Sequence, residues 1–386
     1  MSSNDNIRDG TFTHEVGLRR LGARLVRDLV KVLNEADREL LAKIEVRLRE
    51  IETRGFDRGP FTTARLEALM HELRGVNAEA YNRLGLFLRK ELRNLAEYEV
   101  EFQAQLVADS VGGDLRFAAQ AGIQASRGAL EVSLVRPSIE QLVSLIEAKP
   151  LADGRPIARW ARDLSAGKLD LFERSIQQGM LQGENLRDIM KRFKGSPGSP
   201  GLVEIPKRHL ETWALTAMHH TANEARDQFY DKNRDVVKAL VIVATLDDRT
   251  CEQCVPRDGK RYTLDHKPIG HAIPWGAGPG RYHPRDRCTS RPELKSWREL
   301  GINLKEAPAG TRESMDGAVS ASLSAEEWLR KHPERAVKLY GKERATLFLE
   351  GGVSAEDLVK KDGTLWTLSD LREREKGAYR KAGLAA

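Results

Sequence analysis

Aromatic residues make up only 6% of this 386-residue chain, and cysteine occurs three times. So few aromatics argue against a large β-sandwich and fit helical packing better. No apolar run approaches the roughly 18 residues that a membrane-spanning helix needs. The opening residues, Met1-Ser-Ser-Asn-Asp-Asn, are polar and lack the apolar stretch of a secretory signal. The expectation is a protein made and kept in a cytoplasm. Neither sign of charge dominates: 63 basic residues stand against 57 acidic ones, a net charge of +6. That excess permits contact with nucleic acid without demanding it. No Walker-type phosphate loop, nucleophile elbow or dinucleotide fingerprint occurs. Gly276-Ala-Gly-Pro-Gly280 is rich in glycine but lacks the lysine and following helix that a phosphate loop requires.

What is present is amphipathic helix. Leu18, Leu21, Leu25, Leu29 and Val32 open a stripe that runs to Leu48 in steps of three and four, one face of a helix. Gly, Asp and Pro cluster from Gly55 to Pro60 and break it. A second stripe runs from Leu66 to Phe102, so an antiparallel helical hairpin is expected. Gly112-Gly113 reads as its end. Shorter helices are expected at 115–132, 138–148 with Ser138 as N-cap, 155–165, 168–182 and 184–194, with Gly183 and Gly195 as stops. Lys194-Gly-Ser-Pro-Gly-Ser-Pro-Gly201 cannot continue a helix and reads as a boundary between subdomains. A helix over 206–233 and a strand over 238–246 follow, then irregular chain from 262 to 282 and again from 306 to 322. Short tail helices are expected at 324–331, 333–349, 354–360 and 368–378. The fold class is α+β and predominantly α-helical. Four segments are expected: a long helical hairpin (1–112), a helical middle (113–200), a small α+β zinc-clip module (201–305) and a helical tail (306–386).

All three cysteines fall within one short stretch, as Cys251-Glu-Gln-Cys254 and Cys288, with His283 ahead of the last. Thiolate and imidazole are zinc ligands, and a C-x2-C pair on a tight turn can offer two sulfurs to one ion. His283 and Cys288 return after a Gly/Pro-rich excursion, the layout of a clip that staples backbone with too little core to fold alone. Asp286 competes with Cys288 as fourth ligand, and His266 and His271 lie in the intervening loop. No H-E-x-x-H motif accompanies the cluster, so a structural zinc is expected rather than a catalytic one. A redox C-x2-C belongs at a helix N-terminus, whereas this pair follows a strand through Asp-Asp-Arg-Thr. His219-His220 sits mid-helix with side chains about 100° apart, which suits packing or surface roles better than a shared metal. Arg281, Arg285, Arg287, Arg291, Lys295 and Arg298 form a basic run whose arginines are candidates for phosphate contact.

The run Ala244-Thr-Leu-Asp247-Asp-Arg249-Thr250-Cys251-Glu-Gln-Cys254, then Asp258-Gly259-Lys260, then His283-Pro-Arg-Asp-Arg287-Cys288, resembles the phage Mu protein F-like head morphogenesis family. Ala217-Met-His-His-Thr-Ala-Asn-Glu-Ala-Arg226 is similar to that family's preceding helix. The flanks agree at Gly154-Arg-Pro-Ile-Ala-Arg-Trp160, Glu327-Trp328-Leu329 and Leu365-Trp-Thr-Leu-Ser-Asp-Leu371. Asp286 stands where the family often has a cysteine, which leaves the fourth ligand open between Cys288 and Asp286. The resemblance implies a minor capsid protein of a tailed phage or prophage, built into the head near the portal vertex during assembly in the host cytoplasm. Portal, scaffold or major capsid proteins would be its partners, and some members are packaged with the DNA.

No catalytic constellation stands out, so a non-enzymatic assembly protein is the expected class. A metal-dependent nuclease is the runner-up, because a zinc clip set in basic chain resembles a ββα-metal nuclease. That fold needs Asn or His ligands on a following helix, and residues 289–300 offer Thr, Ser and Trp. A packaged effector is a third reading, with no paired glutamates in a suitable loop to support it.

Overall fold

The computed structural model describes residues 3–54, 60–120, 134–182, 184–300, 311–314, 317–320 and 323–385. Helix α1 (Ser3–Arg54) buries Leu18, Leu25, Leu29, Leu40, Ile44 and Leu48 of the expected stripe and also Leu33, while Leu21 and Val32 stay half-buried. Helix α2 (Pro60–Gln120) starts on a proline, whose missing N–H costs nothing in a first turn. It runs straight through Gly112-Gly113, so the expected break there is not made. Two glycines cost a helix about 1 kcal/mol each relative to alanine. A long helix already propagating absorbs that cost. Of the helix expected over 115–132, residues 121–132 lie outside the described residues, as do Gly183 and the interior of the 55–60 break.

The described residues form two compact units. One comprises 18–95 and 143–218, and the other comprises 1–17, 96–142 and 219–386. In the first, Arg47 pairs with Glu72 and Arg83 with Glu35, so α1 and α2 run antiparallel. In the second, His14 bonds Glu99, and a Cβ on Gly10 would strike Leu106, which continues the same pairing sense.

The first unit is helical. Helix α3 (Ile139–Ala148) precedes α4 (Ile157–Leu181), which is one helix where two were expected. Asn185 caps α5 (Leu186–Lys194) by accepting the Asp188 N–H. Phe172 and Ile176 of α4, Ile189 and Phe193 of α5, and Leu40, Ile44 and Leu73 of the hairpin make its core. Lys194–Gly201 is not a boundary. It closes as a two-strand hairpin, β1 (Gly195–Ser196) with β2 (Ser199–Pro200), and the residues before and after it stay in the same unit. Gly195 takes φ +78, and a Cβ on Gly201 would run into the Phe193 carbonyl oxygen. Helix α6 (Glu204–Lys232) contributes residues to both units.

The second unit carries the sheet. Strand β3 (Val237–Val243) is buried except at Lys238. Strands β4 (Arg261–Tyr262), β5 (Pro268–Ile269) and β6 (Thr289–Leu294) complete an antiparallel sheet in the order β5-β4-β3-β6. Strand β6 escapes sequence reading because Thr-Ser-Arg-Pro-Glu-Leu has little β-branched alternation. Pro292 is tolerated opposite Leu240 because β6 is an edge strand. A hairpin of β7 (Thr311–Ser314) and β8 (Gly317–Ser320) occupies part of the stretch expected as loop. In the tail, a capping box of Ser324 and Glu327 starts α7 (Ala325–Arg330). Then come α8 (Pro333–Tyr340) and α9 (Lys342–Thr346), split at Gly341 with φ +78 where one helix was expected. Residues 354–360 form turns rather than a helix. Helices α10 (Leu368–Arg374) and α11 (Lys376–Lys381) follow. The fold is α+β and mostly helical.

One buried ion pair lies in the helical unit. Lys168 Nζ of α4 meets Asp37 Oδ1 of α1 at 2.5 Å, both side chains almost fully enclosed. Burial raises the Asp37 pKa and lowers that of Lys168, and their mutual attraction only partly offsets it. Asp37→Ala strands a buried ammonium and is expected to cost about 3–5 kcal/mol in urea unfolding. Asp37→Leu with Lys168→Met should recover most of it. A cost below about 1 kcal/mol for the single variant would show that the pair is not sealed from water.

Candidate metal centre

The cysteine pair sits where β3 gives out. Ala244 turns its N–H to the buried Asp258 carboxylate, 2.8 Å away, instead of to a strand partner. Asp247 then organises a turn, its Oδ1 accepting the Arg249 N–H at 2.9 Å and its carbonyl the Thr250 N–H at 3.2 Å. The Cys251 carbonyl accepts the N–H groups of Cys254 and Val255. That tight turn brings the Cys251 and Cys254 sulfurs within 3.3 Å of each other.

The other half of the clip is held by Asp286. This fully buried carboxylate accepts the Cys288 N–H on Oδ1 at 2.9 Å and the Tyr282 N–H on Oδ2 at 3.1 Å. Arg287 bridges the halves with a two-pronged ion pair to Asp247, at 2.5 and 2.7 Å. Helix α6 seats this half from behind. Arg281 is buried against Glu224 at 2.8 Å and Asp227 at 3.2 Å. Thr289 donates to Asn223, and a Cβ on Gly280 would collide with the Asn223 amide.

The result is a closed donor cluster. His283 Nε2 lies 3.1 Å from the Cys251 sulfur and 3.9 Å from that of Cys254. Cys254, Asp286 and Cys288 form a second close group that shares Cys254 with the first. A tetrahedral ion with bonds of about 2.0–2.3 Å places its ligand atoms about 3.3–3.8 Å apart, and the spacings of 3.1, 3.3 and 3.9 Å bracket that range. The gap between the donors is about 20 Å³, enough for a single small occupant. His283 Nδ1 lies 2.9 Å from the Pro284 carbonyl. An N–H there leaves Nε2 with a free lone pair facing the sulfurs, the tautomer a metal ligand needs. The residues therefore fit a thiolate- and imidazole-bound metal such as zinc. Asp286 Oδ1 lies 3.6 Å from the Cys254 sulfur and 4.0 Å from His283 Nε2, and Cys288 groups with Cys254 and Asp286, so both Cys288 and Asp286 are within reach as the fourth donor.

Without a metal the cluster is charge-separated. The hydrogen bond from Cys254, against the opposing effect of burial and with further help from His283, brings the Cys251 thiol down to about 5. The same bond, a second one with Cys288, and burial push Cys254 well up. Cys254 pulls on Cys288 in the opposite sense, but burial and the Asp286 charge prevail and carry it to about 12. Hydrogen bonding to Cys251 raises His283 to about 9 despite burial.

His266 and His271 stand outside the cluster. His266 stacks on Trp275, and His271 Nε2 lies 2.9 Å from the Arg261 carbonyl. Neither competes as a ligand. His219 and His220 are buried on α6 rather than exposed. Within the basic run, Arg281 is internal and matched by two carboxylates, and Arg287 pairs with Asp247. Arg285 is exposed at φ +61, and Arg291 sits half-buried on β6. Sequence reading missed the supports: Asp258, Asn223, Glu224 and Asp227. Asn223, Glu224 and Asp227 sit on α6, whose charge on every side leaves no solvent-facing pattern, and Asp258 lies in the turn after the cysteine pair.

Residues 170–291 match the family model for phage Mu protein F like proteins. The chain carries a phage Mu protein F-like domain. The match begins inside α4, ends in β6 and takes in all four donors, Cys251, Cys254, His283 and Cys288. No curated protein and no solved structure matches the chain.

At pH 7 the metal-free cluster keeps its protons on His283, Cys254 and Cys288 while Cys251 has lost its own. Zinc binding should therefore release about three protons, and affinity should climb with pH across neutrality. Calorimetry in buffers of different ionisation enthalpy reads the number. With Asp286 in the shell, Cys288 keeps its proton and the count falls to about two. Purified protein should carry about one zinc per chain, and metal analysis under reducing, chelator-free conditions that finds none would remove the site.

Proposed function

We propose that the protein is a minor capsid component of a tailed phage or prophage, acting in head morphogenesis without catalysing a reaction. Its place is the virion head near the portal vertex, with portal, scaffold or major capsid protein as neighbours. The family match over the clip and its seating helix carries this reading. A structural zinc held by Cys251, Cys254, His283 and Cys288 accords with it. Two of the three sulfurs are buried, and the gap is lined by residues of the clip. A catalytic zinc keeps a position open to water or substrate, whereas four protein donors would fill a tetrahedral shell. Among the described residues no helix is long and apolar enough to cross a membrane.

In a phage that encodes this chain, mass spectrometry of purified heads should find the protein well below the major capsid protein in copy number. Cross-linking should join it to the portal. Heads that never contain it would refute the assignment. Purified protein should leave plasmid DNA intact with magnesium, manganese or zinc, and cleavage abolished by His283→Ala would establish a nuclease instead. Cys251→Ser should loosen the chain beyond residue 246 to protease while α1 and α2 keep their helical signal. Uniform loss of structure would mean that the cluster supports far more than the clip.

A further inference from the structure

The three sulfurs of the clip differ in access. Cys254 and Cys288 are buried, while Cys251 is partly open. Cys251 lines the gap between the donors and also a second cleft of about 330 Å³, walled by Trp328 and Leu329 of α7 and Leu339 of α8. A solute of a few atoms has ample room there. It meets Cys251 before either buried sulfur.

Cys251 also has a partner at hand. The Cys254 N–H donates to the Cys251 carbonyl at 3.0 Å and closes a four-residue turn. Such a turn holds its end Cα atoms less than about 7 Å apart. Disulfides span roughly 4.4–6.8 Å between Cα atoms. The two sulfurs already stand 3.3 Å apart. Closing that distance to a bond of about 2.05 Å takes side-chain rotation and little backbone movement. Cys288 groups with Cys254 and Asp286, whereas Cys251 groups with Cys254 and His283. Cys254 is therefore the sulfur that answers Cys251.

The choice of pair decides what oxidation does. A bond between Cys254 and Cys288 would tie the two halves of the clip together. A bond between Cys251 and Cys254 lies wholly within the first half. It takes two donors from the metal and removes the link through the ion, leaving contacts such as Arg287 with Asp247 to join the halves.

We propose that oxidation opens the clip: a peroxide joins Cys251 to Cys254 as a disulfide, and the metal is expelled. The Cys251 sulfur attacks one peroxide oxygen, the O–O bond breaks, and the departing oxygen leaves as water. The Cys254 sulfur then attacks the sulfenic acid on Cys251, the S–O bond breaks, and a second water leaves. The two sulfurs give up two electrons, which reduce hydrogen peroxide to two waters. When both sulfurs start as metal-bound thiolates, the two protons come from solvent. An ion stripped of two thiolates loses most of its hold on the chain. A reducing cytoplasm keeps the pair metal-bound, and oxidising surroundings release it. The expulsion rests on the zinc site proposed above, while the disulfide rests on the sulfur geometry alone.

The test treats the zinc-loaded full chain with hydrogen peroxide, blocks the remaining thiols with iodoacetamide in denaturant, and maps tryptic peptides by mass spectrometry. Cleavage after Arg249 and Arg257 puts Cys251 and Cys254 on one peptide, and cleavage after Arg287 puts Cys288 on another. The first peptide should be two hydrogens lighter than its reduced form and carry no alkyl group, while Cys288 is alkylated. A zinc-sensitive dye should report about one ion released per chain as the disulfide forms. Dithiothreitol with added zinc should reverse both changes. Limited proteolysis should cut the segment between the halves, 259–282, faster in the oxidised protein than in the zinc-loaded one. A bond between Cys254 and Cys288, oxidation of Cys288 ahead of Cys251, or zinc retained alongside the disulfide would overturn the proposal. So would unchanged proteolysis of the segment. Chelator-treated protein gives the second arm. A disulfide there, in protein that held no zinc as purified, would count against the metal site and for the pairing. Zinc in the purified protein with no disulfide in either arm would count against the pairing alone.

Discussion

Arg226 of α6 is fully enclosed in the sheet-bearing unit, and a guanidinium there is tolerable only if carboxylates surround it. Glu99 meets it at 2.5 Å and Glu15 at 2.7 Å, and His14 completes the set by bonding Glu99 at 2.6 Å. Burial alone would raise Glu99, but Arg226 and His14 outweigh it and hold the carboxyl at about 2. The neighbouring turn of α6 repeats the logic with opposite sign: Glu224 and Asp227 are buried and take Arg281 from the loop. With charge on two sides matched, α6 has one position relative to the α1 and α2 segments of this unit and one relative to the loop. His283 lies two residues beyond Arg281, so the metal cluster depends on the helix before it depends on the metal.

Much of this was legible beforehand, for identifiable reasons. The long helices were visible because one face meets core and the other water, as at Leu40, Ile44 and Leu48. The donor set was visible because cysteine and histidine are rare and their spacing is chemical. What stayed hidden was held by tertiary contact. Strand β6 pairs along β3 although its own residues barely favour a strand. The Gly/Pro run at 195–201 reads as a boundary, yet it closes as a tight hairpin with an exposed tip, since glycine permits both free chain and the closest backbone approach. The arginines of the clip looked like a patch for phosphate because their carboxylate partners lie far off in sequence, at Asp247, Glu224 and Asp227.

The cluster and its supports divide the labour. The Asp247–Arg287 pair, the Asp286 turn and the Asn223 contact set the backbone of both halves using protein groups alone. A metal would add its own bonds to donors already in place, which lowers the entropy lost on binding. Three thiols, an imidazole and a buried carboxylate crowded together would otherwise hold an awkward mixture of protons and charge. A bound ion would replace that mixture with a single well-defined state.

Asp258 has a wider reach than its place in the turn implies. One oxygen holds the Ala244 N–H at the end of β3, and the other holds the Ala325 N–H at the start of α7, each at 2.8 Å. Asp258 thus joins the start of the tail helices to the end of β3, beside the packing of Leu246 and Val255 into the tail core and the Arg335–Asp248 and Lys260–Glu356 ion pairs. Tension applied at the C-terminal end would therefore load β3 and the cysteine turn together, because Val255, directly after Cys254, packs into the tail core and Arg335 grips Asp248 ahead of Cys251.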